Sequence, residues 1–164
     1  MYEKKILAAF DNIRILAVAV SFFFGYRIGF ENGVYNPEAQ LHFMIPIIVI
    51  AISGLTGIEG LFFAKFASEI KGFETGSNYQ RQSAISQLSY AFVTLLVYIL
   101  NWGIKAELTI FFAFIFFMIG SAVNHLIDAV TRKNYKWQNI NRPIFAALLV
   151  AGIIYPLIEM FKRL

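Results

Sequence analysis

Cysteine is missing from the chain altogether, which rules out disulfides, thiolate metal sites and cysteine nucleophiles together. Histidine is nearly as scarce. No HExxH or paired-histidine spacing occurs, so a metal site would have only His125, Glu59 and Asp128 to draw on, short of the usual zinc donor set. No metal and no cofactor are therefore expected. No Gly-x-Gly turn follows a strand, which removes the phosphate-cradling loops. Charge is sparse in long stretches: residues 42–58 are 17 positions without a charged side chain, and 80–105 contain no acid and no base between Arg81 and Lys105.

What fills the chain is apolar. Hydrophobic residues make up 59% of the 164 and aromatics 17%, with a mean hydropathy of +0.64, more than a soluble domain of this length can bury. The expectation is an all-α integral membrane bundle, a single transmembrane helical domain over residues 1–164. The net charge of +4 comes from Lys and Arg gathered between apolar runs. It is the pattern of loops beside a membrane and not of a nucleic-acid surface.

Five runs are long enough to approach the roughly 20 residues that a bilayer crossing needs. The first, 6–30, carries Asp11, Arg14 and Arg27 but no small-residue cleavage site after its phenylalanines, so it reads as a retained helix. Asp11 and Arg14 share a helical face three apart, and Gly25 and Gly29 offer a close-packing spacing. The second run, 41–66, encloses Glu59 beside a ridge of Ser53, Gly57 and Gly60. A hydrophilic connection over 65–79 follows, with glycines at 72 and 76. The third, 80–105, has its apolar part at 88–100. Gly103 to Glu107 then form a short hairpin loop into the fourth, which opens at 108 and places Asn124, His125 and Asp128 in its last turns. Pro143 begins the fifth, 144–158.

Counting Lys and Arg under this layout puts ten (Lys4, Lys5, Arg14, Lys65, Lys71, Arg81, Arg132, Lys133, Lys136 and Arg142) on one side and four on the other. The rule for cytoplasmic loops then predicts a cell-membrane protein with its N-terminus inside and its C-terminus outside. Four spans with an interfacial first helix is the alternative.

This layout gives Glu59, Gln82, Gln87, Asn124, His125 and Asp128 a common depth in the cytoplasmic half, and they are the candidate ligand- or proton-binding residues. Intramembrane acids usually face the bundle and pair. Arg14, His125 and Gln87 are the partners expected for Glu59, with a Lys65 contact as the structural alternative. His125 and Asp128, three apart, could relay a proton, or Asp128 could contact Arg132 while His125 bonds a glutamine. The other half, built from residues such as Val49, Leu96, Phe112 and Phe116, offers little to a polar group.

The run Tyr79-Gln80-Arg81-Gln82-Ser83-Ala84-Ile85-Ser86-Gln87-Leu88, with Gly120, His125 and Asn141, resembles an uncharacterised domain-of-unknown-function family of small prokaryotic multi-pass membrane proteins, over about 58–156. That resemblance implies a fold and no established activity. The family pattern has an acid where this chain has Gln82, an Asn in place of Gln87, and a Gly in place of Asn124. Function is expected in transport or membrane interaction, with the polar layer handling a small ligand or a proton. An intramembrane lipid isomerase using Glu59 and His125, and a structural subunit, are the alternatives. The partners expected are the lipid bilayer, a small lipid-like ligand and further copies of the chain.

Overall fold

The computed structural model describes the chain apart from residues 1, 32, 73, 74 and 76 and the side chains of residues 2–4 and 138. Gly76 of the predicted loop and the Lys4 side chain of the charge count fall outside the described residues. Among the described residues seven α-helices follow in order: α1 Tyr2–Gly29, α2 Pro37–Val49, α3 Leu55–Phe62, α4 Ala64–Lys71, α5 Asn78–Ile99, α6 Ile104–Thr131 and α7 Trp137–Phe161. A π-helical segment, Ile50–Gly54, joins α2 to α3. With that rod counted as one, five helical spans are long and apolar enough to cross a membrane.

Local chemistry sets the boundaries. Asn36 accepts from the Ala39 amide at 3.1 Å and Pro37 supplies a preset first residue, so α2 starts there. Ser77 Oγ accepts from the Tyr79 amide at 3.2 Å to cap α5. Gly72 ends α4 in the left-handed region at φ 74°, and the Asn134 side chain fills the place where a Cβ would stand.

The α2–α3 rod is the centre. Leu41, Met44, Ile45, Ile48 and Val49 are fully buried, and Phe111 and Phe114 of α6 with Leu149 and Ile153 of α7 complete the core. α1 runs the length of this rod: Gly25 and Gly29 admit Met44 and Gln40 at one end, and Arg14 reaches Glu59 toward the other. It therefore packs as one of five bundle helices and not as a surface helix. The small-residue ridge works as its composition suggests, since Gly57 takes the Leu88 side chain of α5 and Gly60 takes Ala84.

The five passes alternate in direction, giving two ends. The basic end holds the N-terminal turns, α4 and the loop after α6, tied by Asn134 donating to the Lys71 carbonyl at 3.0 Å and Lys136 to the Glu69 carbonyl at 2.9 Å. The opposite end holds the loops before α2 and α6 and the C-terminus, where Arg163 donates to the Tyr35 carbonyl at 2.9 Å.

Several expected boundaries shift. The hydrophilic stretch after the second run is helical as α4. Lys105 and Glu107 belong to α6 and not to a loop, because the chain turns at residues 100–103. Pro143 does not begin the last span but lies inside α7, a turn and a half beyond its start.

Candidate functional site

Glu59, in the last turns of α3, is 3% exposed. Its Oε2 accepts from Arg14 Nη2 at 2.6 Å and its Oε1 from Lys71 Nζ. Arg14 Nη1 donates in turn to Asp11 at 2.5 Å. The break at Phe63 (φ −122°, ψ 19°) turns α4 out of the rod, and its last residue, Lys71, comes back against the carboxylate. Of the partners expected from sequence, Arg14 bonds Glu59, and His125 and Gln87 do not. Lys65 is exposed, and the lysine that pairs is Lys71. Burial, reinforced by the nearby Arg142 charge, lowers the Lys71 ammonium to about 8 against the pull of Glu59.

A cavity of about 120 Å³ lies beside this cluster, lined on its polar side by Asp11, Arg14, Lys71, Gln87, Asn141 and Arg142. That volume accommodates several water-sized groups. Gln87 is 3% exposed and its Oε1 has no hydrogen-bond partner among the described residues. Arg142 is half-buried and makes no hydrogen bond or ion pair with a described residue, meeting Glu59, Arg14 and Asp11 only through longer-range electrostatics. Three cations, Arg14, Lys71 and Arg142, thus face two carboxylates, Asp11 and Glu59. Among the described residues, one positive charge is left uncompensated at a site where buried charges normally pair.

His125 and Asp128 form a separate unit, joined through Asn139 and not as a direct relay. Asn139 is fully buried. Its Nδ2 donates to the Asn134 carbonyl at 2.9 Å, the His125 carbonyl at 3.3 Å and Asp128 Oδ2 at 3.4 Å. Its Oδ1 is therefore left to accept from His125 Nδ1–H at 2.5 Å, which fixes the imidazole tautomer. Asn134 donates to Asp128 Oδ2 at 2.8 Å, and Arg132 Nε lies 3.4 Å from Asp128 Oδ1, the helix-end contact that the spacing suggested. Among the described residues the side chain that accepts from the His125 ring is Asn139.

The common layer does not hold for two of the candidates. Gln82 and Asn124 are exposed on the outer faces of α5 and α6 and do not join the others. The opposite end, expected to be apolar, holds a buried polar pair: His42 Nδ1 and Glu107 Oε1 are 2.7 Å apart, and Glu107 is 1% exposed. Gln40, fully buried nearby in α2, accepts from the Tyr35 hydroxyl at 2.7 Å. No cluster of three or more metal-ligating side chains occurs among the described residues.

Sequence reasoning missed Lys71, Arg142, Asn134 and Asn139. The signal available for the asparagines was their recurrence between two spans at positions 134, 139 and 141.

A family model described as "Family of unknown function (DUF6790)" matches residues 12–163, so it takes in α1 as well as the stretch that carried the resemblance, and the chain belongs to that family. No curated protein and no solved structure matches the chain.

Proposed function

We propose that this member of the family is a membrane-embedded ligand-binding protein of the transport or interaction kind, taking a small anion into the cavity at its basic end. The observation that carries the reading is the surplus cation, Arg142, beside a cavity already flanked by Arg14 and Lys71. An anion there would accept charge-assisted hydrogen bonds and balance the cluster. We further propose that the basic end faces the cytoplasm, on the ten-to-four distribution of Lys and Arg. Reporter fusions test this orientation, which requires the fusion at Lys71 to report the cytoplasm and the fusion at the C-terminus to report the outside.

One feature weighs against the isomerase alternative: both Glu59 oxygens accept from cations, which favour the ionised carboxylate and make it a weaker base.

Thermal unfolding in neutral detergent tests the anion reading with acetate, inorganic phosphate and octanoate at constant ionic strength, and octanol as the uncharged control. A ligand that binds only the folded state raises the midpoint saturably. The reading requires that at least one anion does so, that octanol does not, and that Arg142→Gln removes the effect. If no anion gives a shift that depends on Arg142, the reading fails.

A further inference from the structure

The cavity has a second wall, and it is apolar: Ile15 and Val18 of α1, Ile52 of the π-helical segment, Met118 of α6 and Phe145 of α7. α1 and α7 meet toward the opposite end of the bundle. There Gly152 lets the Phe22 ring lie where a Cβ would stand, and Tyr26 donates to the Gly152 carbonyl at 2.9 Å. Nearer the basic end the cavity occupies the space between these two helices, with Arg14 and Ile15 on one flank and Arg142 and Phe145 on the other. Ile15 is 44% and Phe145 37% exposed, so both stand at the lateral surface that lipid chains cover. On the loop side stands Lys71, whose carbonyl and that of Gly72 accept from Asn134. Between Ile15 and Phe145 the cavity has a side toward the bilayer.

Resting on the anion-site reading, we infer that the ligand is an amphiphile with a single negative charge, its acidic head against Arg14, Lys71 and Arg142 and its acyl chain leaving between α1 and α7. One charge is what the cluster lacks among the described residues, since two of its three cations are balanced by Asp11 and Glu59. The cavity has room for a head group but not for a long chain, which the lateral opening leaves among the lipids. A free fatty-acid carboxylate and the phosphodiester of an acidic phospholipid share this chemistry.

Native mass spectrometry of the full chain in neutral detergent separates the cases. The probes are oleate, dioleoyl phosphatidylglycerol, the net-neutral dioleoyl phosphatidylcholine, and the chainless anions acetate and dimethyl phosphate. The expected result is one bound oleate or one bound phosphatidylglycerol, preferred over phosphatidylcholine by about tenfold or more, the scale of one charge-assisted hydrogen-bonding group, and over both chainless anions through the apolar contacts of the chain. Arg142→Gln should remove that preference and Arg142→Lys retain most of it. Binding of oleate alone assigns the head to a carboxylate, and binding of phosphatidylglycerol alone assigns it to a membrane phospholipid. If acetate or dimethyl phosphate binds as tightly as its acyl-bearing counterpart, the amphiphile is overturned and the anion site stands. If phosphatidylcholine binds as well as the charged lipids and no probe depends on Arg142, both fall. The comparison of charged with neutral lipid uses only the unmodified protein, so it decides even if a variant fails to fold.

Discussion

Both ends of the bundle bury a glutamate, yet the two glutamates are held in opposite ways. At the basic end Glu59 meets two side chains that are cationic at pH 7, and a third cation stands across the cavity. At the opposite end Glu107 has one partner, His42, whose ring is 44% exposed and tilted against Tyr98 at 5.2 Å. Its Oε2 has no partner among the described residues. A buried acid is therefore not a site in itself. What separates the two ends is the number of basic partners among the described residues: three cations around Glu59 and Asp11, and a single histidine beside Glu107.

Removing the Glu59 carboxylate should give the largest effect. Glu59→Leu leaves Arg14 and Lys71 buried without it, a change that typically costs about 3–5 kcal/mol. Glu59→Gln keeps an acceptor for one cation and should cost less. Unfolding of both variants in one detergent checks the order, and equal, wild-type-like melting would erase the contrast between the ends. Asn139→Ala should come next. It removes the acceptor of His125 and the donor shared by Asn134 and Asp128, and leaving such groups unsatisfied costs about 1–3 kcal/mol. His125 should then lose its fixed tautomer, which nitrogen-detected NMR of the imidazole reads directly.

A pH titration sharpens the comparison further, because Lys71 acts with opposite sign on stability and on ligand binding. Its value near 8 lies below the ordinary lysine value of 10.5. Between these limits the unfolded chain binds the proton that the folded chain has released, so this group makes stability rise with pH across that window. Anion affinity runs the other way: flat below pH 8, then falling by at most about tenfold per pH unit, as one lost proton allows. Binding isotherms at pH 7 and pH 9 check the slope, and Lys71→Met should abolish it.

How much of this was legible depended on whether a contact followed helical periodicity. The ridge of Ser53, Gly57 and Gly60 and the Asp128–Arg132 contact repeat at three or four residues, a spacing that a sequence displays directly, and the five spans followed from apolar length. Glu59 facing Arg14 followed from enclosure in an apolar run. Lys71 did not, because it lies twelve residues from Glu59 and reaches it only through the break at Phe63 and the return of α4. Arg142 looked like a loop cation, since a proline usually opens a helix and Pro143 here sits inside one. Depth alone misgrouped Gln82 and Asn124. Neighbours along a helix turn by about 100°, so Asn124 points away from the buried stripe of Ala122, His125 and Ala129 while sharing its level.

The smallest effect should come from the acid at the opposite end. Glu107→Gln keeps an oxygen to accept from His42 and adds an amide NH₂ where Oε2 now has no donor. It also removes a charge from a nearly fully buried site. The lost ion pair and the relieved desolvation oppose each other, and for a pair with one partly exposed member the net change should stay within about 1 kcal/mol at neutral pH. Unfolding midpoints of wild type and variant at pH 7 in one detergent measure that change. If Glu107→Gln were as damaging at neutral pH as Glu59→Leu, the two acids would be held alike, and the charge surplus at the basic end would no longer distinguish it.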